Sequence, residues 1–260
     1  TRPTSVPATI ALDVAAQNYT DNGDGSYTFT FPTTTGQGLP TLAPGFPLAP
    51  VQGNQTLVGV QAARTFDGIQ YPVGAAHEFA AGGVGTVTPR QVVSDAACNA
   101  CHKQLSAHGT RRTVNLCLTC HTPGWVSTSS ASTGATANAI DFRVMIHRIH
   151  RGQQPTDVQN ANAYHYQWGS TGDFSHVAFA PPNTVRNCVF CHQGGAQAGN
   201  WKTKPSITAC SACHYAVDFT TGAGHAGGAC SNDTTCSTLS CTTCHAADGP
   251  SPAIAGAHSP

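Results

Sequence analysis

Hydrophobic and polar positions alternate through much of the first ninety residues, which is the period of a half-buried strand. In Ser26–Phe31, Tyr27, Phe29 and Phe31 fall on one face and Thr28 and Thr30 on the other. Further strands are expected at Thr9–Val14, Thr56–Ala63, Ile69–Val73 and Val84–Thr88. The run Asp21-Asn22-Gly23-Asp24-Gly25 predicts a tight turn, because these residues tolerate positive φ. Calcium is the sharper alternative there, although the spacing does not match an EF-hand loop. Residues 32–50 carry five prolines and read as a long loop, since proline cannot donate to a ladder. Together these predict a mainly β domain over residues 1–90, a small antiparallel barrel or sandwich serving as scaffold or docking module. Beyond it the period changes. Asp141–Arg151 sets Phe142, Met145, Ile146 and Ile149 at helical spacing. The rest of residues 91–260 predicts an irregular domain, low in regular structure, with a few short helices.

Composition makes that second domain a problem. Only 9% of the 260 residues are charged and 7% aromatic, against 27 glycines and 17 prolines. Such a chain makes a weak core of its own and needs something to organise it. The formal charge is zero, so there is no basic field for nucleic acid. No apolar run is long enough for a membrane-spanning helix.

The organiser is written in the cysteines. The chain repeats C-x-x-C-H five times: Cys98-Cys101-His102, Cys117-Cys120-His121, Cys188-Cys191-His192, Cys210-Cys213-His214 and Cys241-Cys244-His245. This is the attachment signature of c-type haem. Two sulfurs bond the porphyrin and the adjoining histidine binds the iron from below. Five covalent haems are flat, apolar bodies that such a chain can wrap. Each adds two propionates against one positive charge at a ferric centre, so the oxidised holoprotein is expected near roughly −5. Arg111, Arg112, Arg143, Arg148 and Arg151 are candidate propionate partners, because guanidinium suits bidentate carboxylate contacts. Covalent haem implies export. The chain opens at Thr1 without a signal peptide, so it is read as mature or trimmed. No N-terminal cysteine supports a lipid anchor. The two remaining cysteines, Cys230 and Cys236, are read as a disulfide in an oxidising compartment; free thiols are the alternative.

The histidines bear on mechanism. Five of the thirteen are in the motifs, leaving His77, His108, His147, His150, His165, His176, His225 and His258 for the opposite faces of five irons. Met145 is the single methionine, so thioether ligation can occur once at most. His147 and His150 sit three apart on the predicted helix and can serve two different haems along it. His108 follows the first motif, His225 is flanked by glycines that allow close approach, and His258 follows the last motif. An iron with two imidazoles has no open position, so it transfers electrons and binds no substrate.

The stretches CNACHKQLSAHGTRR, CLTCHTPG, DFRVMIHRIHRG and AIAGAHSP resemble one pentahaem half of the OmcA/MtrC family of outer-membrane decahaem cytochromes. YTFTF, VGVQAAR and HEFAAGG resemble the β domain that precedes each half. The resemblance implies bis-histidine ligation throughout, with His108, His147, His150, His225 and His258 as distal ligands and His77, His165 and His176 as extras. It also implies an extracellular or outer-surface location, and redox partners among other cytochromes, flavins and metal oxides. The chain departs from the family in having one β domain and one haem domain instead of two of each. The Cys230–Cys236 insert has no family counterpart to carry over. A single wire segment, a homo-oligomer or a filament of copies fits that departure.

The expected function is therefore electron transfer without catalysis. A multihaem reductase is the runner-up, but it needs an open haem, and no motif departs from C-x-x-C-H. A zinc module is the third reading. It leaves an odd motif over and gives the five adjoining histidines no role.

Overall fold

The structure is a computed structural model. It describes residues 19–29, 55–80, 85–123, 139–152, 165–166, 172–174, 177–178, 185–214, 217–225, 228–229, 238–248, 254 and 258. The expected strand Thr9–Val14, the proline-rich loop, Cys230, Cys236 and His176 lie outside the described residues. Two compact units are distinguished. One holds the described parts of Thr1–Val58 and Glu78–Val87, the other those of Gly59–His77 and Thr88–Pro260.

In the first unit, β1 (Tyr19–Asp21) pairs antiparallel with β2 (Tyr27–Phe29). The expected turn joins them. Asp21 Oδ1 accepts from the Gly23 N–H at 2.8 Å and Asp24 Oδ1 from the Ser26 N–H at 2.9 Å, so both carboxylates cap their own loop. Tyr27 is exposed, so the half-buried face expected of this strand is not formed around it. A hairpin of three-residue strands has too little area to bury a tyrosine.

β3 (Gln55–Phe66) and β4 (Ile69–Ala80) form a second two-stranded sheet. Both run well past the strands expected there. The reason is Asp67-Gly68, with φ of 49° and 74°. Two successive left-handed residues make the tight turn whose twist matches a hairpin, so pairing propagates on both sides. One face of β4 exposes Ile69, Tyr71 and Val73. On the other face Gly74, with Gly59 of β3, lies against Leu116; a Cβ at either glycine would fall 2.9 or 2.6 Å from its methyl groups. The third sheet pairs β5 (His165–Tyr166) with β6 (Gly172–Asp173). Each sheet has two strands and none closes, so no barrel forms among the described residues. Within the second unit, the ribbon's inner face at Gly59 and Gly74 packs on Leu116. Residues 85–88 are irregular, not the expected strand, because Gly85 takes φ of 105°.

Helices dominate the rest: α1 (Asp95–His102), α2 (Val114–Cys117), α3 (Phe142–Arg151), α4 (Asn200–Thr203), α5 (Ile207–Cys210) and α6 (Thr238–Cys244), with a 3₁₀ turn at Cys188–Phe190. Hydroxyl caps start three of them. Ser94 accepts from the Ala97 N–H, Thr113 from Leu116 and Ser206 from Ala209, each satisfying an otherwise orphaned donor. Asp141 caps α3 through the Arg143 N–H at 3.0 Å. Asp95 reaches from α1 to the Val114 N–H at 2.7 Å and so ties α1 to α2. Among the described residues a small apolar cluster forms from Ile140 and Met145, with Phe142, Ile146, Ile149 and Phe174 against them. Met145 is therefore a core residue in the structure, away from the ligand role once open to it. No helix among the described residues is long and apolar enough to cross a membrane.

Candidate haem-binding site

Each motif is one turn of helix. In four of them the histidine N–H bonds the carbonyl of the first cysteine, four residues earlier: His121 to Cys117 at 2.9 Å, His192 to Cys188 at 2.9 Å, His214 to Cys210 at 2.8 Å and His245 to Cys241 at 2.9 Å. In the remaining motif Cys98, Cys101 and His102 all lie within α1. Positions i, i+3 and i+4 share a helix face. Two sulfurs and one imidazole thus point the same way, as a ring attached at two edges and ligated from below requires. The ten motif cysteines are free of disulfides.

A second imidazole faces each motif histidine. The ring centres are 5.9 Å apart for His102–His150, 6.0 Å for His108–His121, 6.2 Å for His147–His192, 6.0 Å for His214–His258 and 6.3 Å for His225–His245. These distances are too long for direct stacking and suit a shared metal. Roughly 2 Å for each metal–nitrogen bond, plus about 1 Å from each nitrogen to its ring centre, sums to about 6 Å. All five residues expected on the distal faces take part. His77 stands on the exposed face of β4 and His165 lies in β5.

Main-chain carbonyls select the ligating nitrogen. His121 Nδ1 donates to Ile140 at 2.9 Å, His150 Nδ1 to Ile146 at 2.9 Å, His225 Nδ1 to Gly228 at 3.1 Å and His258 Nδ1 to Ile254 at 2.8 Å. A carbonyl only accepts, so Nδ1 carries the proton and Nε2 keeps its lone pair for a metal. His108 sits at φ of 48°, left-handed backbone uncommon for a residue with a Cβ. The Ala107–Arg111 bridge closes the loop that holds it there.

Burial favours the uncharged form of several of these groups. Burial pushes His147 down to about 4 and also lowers His108, His121, His150, His192 and His214. Neutral imidazole is the form that binds iron. Burial raises the thiols of Cys117 and Cys188 to about 11. Among the described residues no three His, Cys, Asp or Glu side chains gather around a bare metal position. The donors come in opposed twos.

The motifs also neighbour one another in a definite succession. Cys117 feels Cys98, Cys98 feels Cys191, Cys191 feels Cys101, Cys188 feels Cys210 and Cys213, and His214 feels His245. In motif numbers the neighbours run 2–1–3–4–5. One helix stitches the middle, since α3 gives His150 to the first motif and His147 to the third. Among the arginines, Arg143 is engaged by Asp141, at 3.1 Å through Nε and 2.8 Å through a terminal nitrogen. This carboxylate competes with the propionate role expected of Arg143. Arg112 Nε is buried without a partner, which suits an anionic group beside the second motif. The donor set fits c-type haem: paired sulfurs, neutral opposed imidazoles and a buried cationic nitrogen.

What sequence reasoning missed is the carbonyl set at Ile140, Ile146, Gly228 and Ile254. The i−4 relation of His150 to Ile146 on a helix is one signal that could have found part of it.

A profile of outer membrane cytochromes, described as MtrC/MtrF-like, domains II/IV, matches residues 90–259. The curated multiheme cytochrome MtrC of Shewanella baltica (strain OS185) is 28% identical over 167 residues, covering 61% of this chain and 20% of that protein. The crystal structure of MtrC from Shewanella baltica OS185 superposes with a TM-score of 0.57 and 24% identity over 88% of this chain and 31% of that one. The outer membrane decaheme cytochrome OmcA gives a TM-score of 0.55 at 24% identity, over 90% of this chain and 32% of that one. These two likenesses speak to the fold. The chain spans less than a third of the length of the relatives it matches. The paired histidines thus stand within a matched family region, and the chain belongs to the MtrC/MtrF-like outer membrane cytochromes.

Proposed function

We propose that this chain conducts electrons at the outer cell surface through five covalently attached c-type haems, each closed by two histidines. The observation that carries the reading is the set of five opposed imidazole pairs, all at 5.9–6.3 Å and each joining one motif histidine to one outside the motifs. When bound, the haems supply one-electron iron chemistry. The chain does the remainder. Cys98 and Cys101, and their counterparts in the other motifs, fix each ring at two points. His102, His121, His192, His214 and His245 ligate one face, and His150, His108, His147, His258 and His225 the other. No pair leaves a face open to substrate, which favours conduction over reductase catalysis.

The succession 2–1–3–4–5 makes the second and fifth motifs the ends of the array. The fifth end is the open one, with Cys244 and His245 both exposed. Exchange with other cytochromes, flavins, minerals or further copies of the chain is assigned to the ends. The haem-bearing domain corresponds to residues 91–260 and the β region to 1–90. Cys230 and Cys236 form a disulfide under this reading, as two spare cysteines in an exported protein do.

The test is a haem count with spectroscopy on purified protein. Pyridine haemochrome and intact mass should give five covalent haems per chain, and the oxidised protein should be wholly low-spin. A resting high-spin fraction, with turnover of nitrite, hydroxylamine or sulfite, would establish a reductase instead.

A further inference from the structure

We propose that the site of Cys188, Cys191 and His192, closed by His147, holds the most positive haem of the five and is the electron well of the array. The inference rests on the bis-histidine reading above and concerns how the chain ranks its sites.

The observation is a difference among the pairs. In four of them one ring donates its Nδ1 proton to a main-chain carbonyl, at Ile146, Ile140, Ile254 or Gly228. In the His147–His192 pair both Nδ1 atoms are buried and neither has a hydrogen-bond partner. The backbones of Arg143 and Val92 lie close enough to be felt by these rings, but their carbonyls do not meet bonding geometry. His150 shows what the helix can otherwise provide, since its own i−4 carbonyl bonds it at 2.9 Å. Three residues earlier on the same helix, His147 does not obtain the same bond.

The consequence follows from ligand basicity. A ring that gives its Nδ1 proton to an acceptor becomes richer in electrons at Nε2 and donates more strongly to iron. Strong donation favours the ferric state, which carries one more positive charge, and lowers the potential. Two rings without acceptors donate less, so the ferrous state gains. His121, in the second site, is the more buried residue, but Ile140 satisfies its ring, so hydrogen bonding and not burial sets the third site apart.

Place in the succession gives the ranking a use. The third motif lies between the first and the fourth, not at an end. An electron arriving from either end settles in the middle, and the ends stay oxidised to receive the next.

The experiment is stepwise reduction of the holoprotein followed by NMR. The methyl signals of each oxidised haem are assigned through contacts to neighbouring residues; Val144, three residues before His147 on α3, marks its region. The third-site signals should be the first of the five to disappear on reduction. A His147→Met variant supplies a second reading, since thioether ligation raises the potential of one haem alone. The step that moves should be the step already most positive in the unsubstituted protein. First reduction at any other site, or movement of any other step, overturns the ranking while leaving five low-spin haems in place. Fewer than five haems, or a high-spin resting signal, instead overturns the underlying reading and the ranking with it. If the variant does not accumulate, the order of signal loss in the unsubstituted protein decides alone.

Discussion

His121 is tied twice to the segment that enters α3: its Nδ1 donates to the Ile140 carbonyl at 2.9 Å, and its own carbonyl accepts from the Phe142 N–H at 3.2 Å. Between those two contacts lies Asp141, buried at 3% exposure, which caps the helix and grips Arg143. The same helix then presents His147 and His150 to two other motifs. One short segment therefore couples the geometry of three of the five sites.

Removing Asp141 should show that coupling. Asp141→Ala deletes the cap and leaves the Arg143 guanidinium without its buried partner. The cost is expected at about 3 kcal/mol, between the loss of a cap and the breaking of a buried pair. Asp141→Asn keeps a capping oxygen and should lose about half as much. Guanidinium unfolding of the holoprotein, followed by haem absorbance, measures both. Equal stability of Asp141→Ala and the unsubstituted chain would show that the clamp contributes nothing.

Much of this site was legible in the sequence because haem attachment is a local signature. Cys and His at i, i+3 and i+4 need only one helical turn, and the five turns formed where the motifs lie. The histidines that oppose the motifs in the structure were legible through number, helical spacing and family likeness together. The clamp on His121 was not, because Ile140 is nineteen residues away and nothing local announces that a carbonyl will meet a ring. The β region shows the opposite failure. Its strands were seen but their ends were misjudged, because Asp67-Gly68 was not weighed as a two-residue hairpin turn. A barrel was expected because alternation reports a face but not what covers it; here part of one face is covered by Leu116.

Single distal ligands can be removed one at a time. His150→Ala and His147→Ala should each convert one haem in five to high-spin and leave the rest low-spin. EPR integration against total haem iron checks this. The His150 variant should perturb the first site and the His147 variant the third, although the two residues are three apart on one helix. Loss of two low-spin centres from one substitution would mean that the pairs are not independent.

Met145 distinguishes packing from ligation. It is 7% exposed and packs with Ile140 in the small apolar cluster. Met145→Leu keeps volume and should leave all five haems low-spin with stability changed by less than about 1.5 kcal/mol. Met145→Ala should cost about 2–5 kcal/mol through cavity formation, again without loss of a low-spin signal. A spectral change in the leucine variant would make the sulfur a ligand after all.

Cys230 and Cys236 give a prediction independent of the haems. Alkylation of the unfolded protein without reductant should label neither, because the ten motif sulfurs are thioethers and these two are joined under the proposed reading. Mass spectrometry of the peptide between the fourth and fifth motifs checks it. Labelling of both residues would establish free thiols.

The ring planes carry a last prediction. His102–His150 and His214–His258 are nearly perpendicular, at 84° and 85°, while His108–His121, His147–His192 and His225–His245 lie at 23°, 31° and 18°. An imidazole interacts through its π system mainly with the one iron orbital perpendicular to its plane. Two parallel rings act on the same orbital and split it from its partner. Two perpendicular rings act on one each, and the splitting nearly vanishes. The oxidised protein should therefore give two classes of low-spin EPR signal. Two irons belong to a strongly anisotropic class with a single large, broad low-field feature, and three to an ordinary rhombic class. Removing His258 or His150 should delete intensity only from the anisotropic class, and removing His108, His147 or His225 only from the rhombic one. The main-chain bonds at Ile146 and Ile254 anchor one ring of each perpendicular pair, so this two-to-three division is set by the fold. Five equivalent rhombic signals would mean that those rings turn by most of a right angle when the iron binds.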